Sequence, residues 1–268
     1  MAIITISRGS NSRGREVAER VAKKLGYDCL SRDVLLEASE RFNISEIKLS
    51  RAIHDAPLIL ERFTYGKEEY ITYIKAALLK YLREDNIVYH GLGGHFFVQN
   101  ITHVLKVRII ADMEDRIRFK MNKENLSKDE AEQFIKNDDE QRKKWGLALY
   151  GIDTANPNLY DLLIHIGKLT TEDAADIICQ TVMLNCFQTT PESQKILDDM
   201  ALIANIKASL FKLTPHIEVS VNENDINITT RLRAPDSEVI ERLQEAAKGI
   251  VGNRNVNIEV LPITVFTD

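Results

Sequence analysis

Residues 9–16, Gly-Ser-Asn-Ser-Arg-Gly-Arg-Glu, have residue types and a spacing that could hold phosphate. Gly9 and Gly14, with a cation directly after the second, match the Gly-x4-Gly-Lys-Ser/Thr phosphate loop. The chemistry requires glycines so that backbone N–H groups can turn toward phosphate oxygens. It also requires a helix N-terminus behind them, where partial positive charge collects. Gly9, Ser10, Asn11, Ser12, Arg13, Gly14, Arg15 and Glu16 are therefore the candidate phosphate-binding residues. Two of them depart from the pattern. Arg15 stands at the lysine position and can pair with a β- or γ-phosphate more rigidly than lysine. Glu16 stands at the Ser/Thr position, where a carboxylate could take magnesium directly or through water. A polar turn capping a surface helix is the plainer reading of the same residues.

Other reactive groups are sparse. His90 and His95 bracket a Gly-Leu-Gly-Gly loop, and His103 follows, but three metal ligands of convincing spacing are missing. A histidine touching substrate, or a plain loop histidine, fits better. Cys29, Cys179 and Cys186 are an odd, scattered set that reads as thiols in a reducing compartment, with Cys179 and Cys186 as buried core thiols. No Gly-x-Ser-x-Gly elbow occurs. Asp138 and Asp139 are adjacent, so on a helix they diverge by about 100° rather than flank a substrate.

The elements that must position the loop can be read from periodicity. Residues 2–7 form an apolar, β-rich buried strand. After the polar turn 8–14, a helix runs to Leu25, with Val17, Val21, Ala22 and Leu25 as its apolar stripe, and Gly26 stops it. The pattern from 31 to about 80 is helical: Asp33 caps one helix, 44–53 reads as a second and 70–82 as a third. Strands are expected at 87–89, 104–111 and 162–166, and helices from Asp112 through Met121, after the Ser127/Glu130 capping box, and over 171–187. A strand, a glycine-bearing loop and a helix at the start of a chain open many nucleotide-binding α/β folds. The texture breaks near 188–193. Beyond it come a helix at 196–213, a hairpin of 216–221 and 226–232, a helix from Pro235 to about Ala247, and a strand at 255–260.

Composition narrows the function classes. The chain has 268 residues, enough to bury a core without disulfides or metal. Lys plus Arg is 35 against 40 Asp plus Glu, a formal charge of −5, which argues against a nucleic-acid-coating protein. Hydrophobic residues at 44% and charged residues at 28% exclude collagen-like, disordered and disulfide-scaffold classes. No targeting segment and no membrane-length apolar run is visible, so the expected location is cytoplasmic.

Several short motifs, in order, resemble the cytidylate kinase-like family. Ile4-Thr-Ile-Ser-Arg8, Gly14-Arg15-Glu16 and Leu25-Gly26 are similar to its opening. Glu114, Arg116 and Arg118 resemble its arginine-bearing helix before the lid, and Ser127 to Ala131 its Ser-x-x-Glu-Ala. Asp139 to Arg142 looks like its Asp-x-x-Arg, and Tyr150-Gly151, Asn158 to Asp161 and Lys168-Leu169 follow in place. The resemblance covers roughly residues 1–185. It implies a P-loop kinase core of the α/β class over residues 1–190, with a parallel sheet and helices on both faces. It further implies ATP and Mg2+ as cofactors. Arg15, Arg116, Arg118 and Arg142 would act on the transferred phosphoryl group, with Asp139 orienting Arg142; such chemistry is largely positioning plus cations. The acceptor side would use Arg32, Asp33, Gly91 and Leu92. There the family usually shows aspartate where Ser31 stands and Gly-Arg where Gly91-Leu92 stands.

Residues 194–268 resemble a BON domain, a small α-β-β-α-β module, by element order and by Ala246-Ala247 and Gly252. This segment holds more acids than bases, and phospholipid binding is not expected of it. Regulation, dimerisation, binding of a small ligand, or plain packing are its open roles.

The expectation is a nucleoside monophosphate kinase-like enzyme moving the γ-phosphoryl group of ATP to CMP, dCMP or a related small acceptor. The alternative is a catalytically degenerate nucleotide sensor with output through the C-terminal module, which the departures at Glu16, Ser31 and Leu92 motivate. Its partners would be a small nucleotide, with no nucleic acid and no membrane span.

Overall fold

The structure, a computed structural model, describes residues 2–31, 33–44, 66–91, 93–222, 225–232, 237–252 and 254–262. Strand β1 (Ile3–Arg8) buries Ile3, Ile4 and Ile6 because both faces of its sheet are covered, the usual origin of a continuous apolar run in a parallel strand. It sits at the centre of five parallel strands ordered β2-β3-β1-β4-β5, with β2 at Asp28–Leu30, β3 at Ile87–Tyr89, β4 at Val104–Ala111 and β5 at Leu162–Ile166. The β1–β4 register runs from Ile3 opposite Val104 to Arg8 opposite Ile109. The carboxyl ends of the two central strands therefore lie side by side, where open α/β sheets form their ligand crevice. The sheet confirms the expected P-loop kinase-type fold class. Strand β2 was not foreseen: three residues carry no alternation, and the strand is held by pairing along β3 and by Asp28 N–H donating to the Asn86 carbonyl.

On one face lie α1 (Gly14–Leu25) and α7 (Thr171–Val182), joined through Val17, Val21, Ala174 and Ile178. On the other lie α2 (Asp33–Phe42), α3 (Gly66–Leu82) and α8 (Pro191–Leu210), around Leu78, Leu79, Leu82 and Phe97, the last from the short α4 (Gly94–Phe97). The expected helix at 44–53 lies, beyond Ile44, outside the described residues. Two helices, α5 (Met113–Glu124) and α6 (Lys128–Tyr150), project as a pair with a small core of Ile117, Ala131 and Ile135. The expected capping box is formed, with Glu130 N–H donating to Ser127 Oγ and Ser127 N–H to Glu130 Oε2.

Helix α7 stops at Val182, short of the expected 187: a 3-10 turn at Asn185–Phe187 follows, and Met183 and Leu184 are exposed. Cys186 is exposed on that turn, which corrects its reading as a core thiol; Cys29 and Cys179 are partly buried, and burial raises both their pKa values.

The texture break at 188–193 is a helix start. Thr190 caps α8 and Pro191 occupies its first turn. The helix serves two cores at once. Leu197, Ala201, Ala204 and Ala208 pack with α3, followed by Phe211, while Ile206 and Leu210 pack under the second sheet. That sheet has β6 (Ile217–Asn222) antiparallel to β7 (Asp225–Leu232) and β8 (Asn255–Pro262) parallel to it, with α9 (Ser237–Val251) as the crossover. Its far face is polar, laced by Asn257 to Asn227 and Asn255 to Asp225 hydrogen bonds. Among the described residues, no helix is long and apolar enough to cross a membrane.

Candidate functional site

The loop between β1 and α1 takes its shape from residues the phosphate-loop pattern does not name. Asn11 and Arg13 have positive φ, 55° and 62°. Asparagine visits this left-handed region readily; an arginine there costs about 1 kcal/mol. Gly14 is required for a different reason: a Cβ on it would lie 2.7 Å from Arg8 Cβ, where α1 crosses the end of β1. Ser12 Oγ donates to the Gly9 and Ile109 carbonyls, fixing the loop to the end of β4. No side chain caps the N-terminus of α1. Its first-turn N–H groups therefore face the crevice with no intrahelical acceptor, a natural seat for an anion.

The pair α5 and α6 is clamped onto this loop. Arg116 of α5, only 9% exposed, donates from Nε to the Ser10 carbonyl at 2.6 Å and from Nη2 to Asp139. Asp139 of α6 in turn accepts the Ser10 N–H at 2.8 Å. A carboxylate thus sits on a loop N–H where phosphate oxygen is expected to bind.

Two cavities open on either side of the loop and share Ala111 and Arg116. The larger, about 340 Å³, is lined by Arg8, Arg108, Arg116, Arg142 and Lys143, against Asp139, Glu140 and Asp153. Asp153 is taken by Lys143 at 3.1 Å and Asp139 by Arg116. Among the described residues, Arg108 donates to the hydroxyls of Ser7 and Tyr160 and lies over the Tyr160 ring. Burial, with repulsion from Arg142 and Arg15, lowers the Arg8 pKa to about 10, so it stays charged at neutral pH. The cavity is cationic. The smaller one, about 190 Å³, lies between Asn11, Arg13 and the Gly167–Thr171 turn.

Two residues that line the larger cavity, Arg108 and Thr154, are tied to a neutral polar network around Tyr160. Tyr160 OH donates to the Thr154 carbonyl at 2.8 Å, lies 3.0 Å from Ser7 Oγ and 3.4 Å from His95 Nε2. Burial, with Arg108 and Lys106 nearby, lowers the His95 pKa to about 3. His90, at the end of β3, is 5% exposed, and burial with repulsion from Arg8 and Arg15 lowers its pKa to about 4. Both are neutral imidazoles. Among the described residues, no cluster of three His, Cys, Asp or Glu could hold a metal.

The expected residues divide. Arg116, Arg142, Asp139 and Gly9 are brought together at the larger cavity, and Asn11 and Arg13 line the smaller. Asp139 does not orient Arg142: it faces the loop and holds Arg116, while Arg142 pairs at 2.8 Å with Asp138, one turn back on its own helix. Arg118 points to solvent beside Asp115. Arg15 is exposed and paired with Glu19 at 2.7 Å. Glu16 is turned toward α7, where its Oε1 accepts from Arg20 and from Thr171 Oγ1 at 2.9 Å. Asp33 accepts from Ser31 N–H at the start of α2. A Cβ on Gly91 would lie 2.0 Å from the Tyr89 hydroxyl, so only glycine fits. Arg32 and Leu92 lie outside the described residues. Arg8, Arg108, Lys143 and Tyr160 were not nominated. An arginine inside the β-branched run 104–111 was the signal for Arg108.

A model of the cytidylate kinase-like family matches residues 3–168. A cytidylate kinase of Sulfolobus acidocaldarius is 28% identical over 178 residues, 65% of this chain and 91% of that protein. One from Archaeoglobus fulgidus is 29% identical over 182 residues, 67% of this chain and 93% of that protein. A solved structure from Eubacterium ventriosum, described as an uncharacterized protein, superposes with a TM-score of 0.55 at 20% identity, covering 68% of this chain and 97% of its own.

Proposed function

The chain belongs to the cytidylate kinase-like family, and we propose that it transfers the γ-phosphoryl group of ATP to CMP or dCMP. The observation that carries this reading is the cationic cavity at the carboxyl ends of β1 and β4, with Arg13, the N-cap position of α1, lining the smaller cavity and Arg116 between the two. Such an arrangement seats phosphates on backbone N–H groups and surrounds the moving phosphoryl group with fixed guanidinium groups. Arg8, Arg116 and Arg142 are the charges best placed for it, and Arg108, held by the Tyr160 hydroxyl, adds a further one. Magnesium would neutralise charge on the phosphates. The carboxylates by the loop are engaged, Glu16 by Arg20 and Asp139 by Arg116. This favours an ion carried on the nucleotide's own phosphate oxygens. The cytoplasm, and a division into residues 1–190 and a BON-like 194–268, complete the proposal.

A second reading, a nucleotide sensor without turnover, draws on one specific feature: Asp139 occupies the Ser10 N–H. The two readings separate in one assay. ADP formation from Mg-ATP is measured against a panel of nucleoside monophosphates, with Arg116→Ala as control. Turnover with CMP or dCMP that is lost in the control supports the kinase. Silence from protein that still binds ATP removes it and leaves the sensor.

A further inference from the structure

A third cleft, about 450 Å³, shares no lining residue with the two loop-side cavities. It lies where α2, α3, α8 and the end of α9 meet. Four cations reach it, each from a separate position: Arg41 near the end of α2, Lys80 and Arg83 at the end of α3, and Arg254 just beyond α9. One carboxylate, Asp198, lines it. That carboxylate is committed to Arg83 at 2.7 Å and also accepts from Gln194. Lys80 pairs outward with Glu37 at 2.6 Å. Among the described residues, Arg41 bonds a neutral acceptor, the Asn205 side-chain carbonyl, and lies over the Phe42 ring. Arg254 has no ion-pair partner among the described residues.

The floor is of a different character. Ala76, Ala201 and Val251 are buried there, and Leu202 and Ile250 are half-buried. A concave site with an apolar floor and cations converging on it suits a ligand with an organic body and several negative charges. Its volume falls in the range of small-molecule sites. An inorganic ion would leave the apolar floor uncovered, and an uncharged metabolite would leave Arg41 and Arg254 unused. We propose that this cleft is a second, regulatory binding site for a nucleoside triphosphate, held by its phosphates on Arg41 and Arg254 with its base or sugar over Leu202 and Ile250. Its position gives it leverage. Arg41 belongs to the helix that follows β2 of the parallel sheet, and α8 contributes to both hydrophobic cores. The inference rests on the cleft alone and stands whether or not the chain is a kinase.

The test is calorimetric titration of the full chain with ATP, CTP and inorganic tripolyphosphate, beside the Arg41→Ala/Arg254→Ala double variant. Arg254→Glu alone is the second variant, because that exposed side chain holds nothing else in place. Expected is one bound triphosphate fewer per chain in the double variant, or a loss of at least about tenfold in the affinity of one class of sites. The same loss is expected in Arg254→Glu, and tripolyphosphate should bind this site more weakly than the nucleotides. If the loop site binds nothing, the full chain takes one triphosphate and the variant none. That result supports the cleft while removing the kinase reading. Equal stoichiometry and affinity in all three proteins would overturn the proposal and reduce these cations to partners of helix C-termini.

Discussion

Asp139 Oδ1 accepts the backbone N–H of Ser10 at 2.8 Å, so α6 meets the loop between β1 and α1 through a carboxylate. A phosphate oxygen and this carboxylate would repel each other at the same donor. Asp139→Asn should therefore tighten ATP binding by roughly fivefold, about 1 kcal/mol, while turnover falls about tenfold because Arg116 loses its charged partner. Calorimetry and steady-state rates read the two effects separately. An unchanged ATP affinity would show that the carboxylate does not compete for the loop.

The arginines of α5 should differ sharply although they stand two positions apart. Arg116 is buried between the two cavities, and Arg118 faces water beside Asp115 at 3.4 Å. Arg116→Ala should cost on the order of 100-fold in turnover, and Arg118→Ala less than about threefold. Comparable losses in the two variants would mean that Arg118 swings in when substrate arrives.

Acid should destabilise the protein through its buried histidines. Folding lowers the pKa of His90 to about 4 and of His95 to about 3. The unfolded chain therefore binds more protons between those values and about 6.5. Stability is complete above pH 6.5 and is lost as pH falls, by about 2 kcal/mol per histidine at pH 5. Urea melts at pH 8 and pH 5 measure this, and His95→Gln should flatten part of the slope.

Glycines of the loop should not be equivalent. A Cβ at Gly14 would lie 2.7 Å from Arg8 Cβ, whereas at Gly9 the nearest atom, Arg116 Cζ, lies at 3.7 Å. Gly14→Ala should lose about 1–3 kcal/mol and Gly9→Ala less than about 1. Thermal denaturation of both variants tests the ranking.

Much of this architecture was legible because its signals are local. The buried strand expected at 2–7 and found at 3–8, the stop at Gly26 and the Ser127/Glu130 box depend on neighbours in sequence, and each forms. The loop was legible as a candidate phosphate loop by spacing, but the partners of its side chains were not. Glu16 is claimed by Arg20 on its own helix and Thr171 on another, and Arg15 by Glu19. The partner exchange between Asp138 and Asp139 has the same origin: a helix sets which carboxylate faces Arg142, and only the tertiary approach of Ser10 sets what the other one meets. Strand β2 is specified almost wholly by β3. Arg8 and Arg108 gain their meaning from lying at the ends of paired strands, which no single stretch of chain displays.

Helix α8 has a consequence for synthesis. One wall of the first core is built from Leu197, Ala201, Ala204, Ala208 and Phe211, which leave the ribosome long after β1. Until then the sheet presents an open apolar face, whatever its strands have done. Ile3 stays without its full surroundings until Phe211, 208 residues further along, has been made. The nascent protein is thus exposed to wrong partners throughout that interval, and the helix that ends this exposure is the same one that starts the second core.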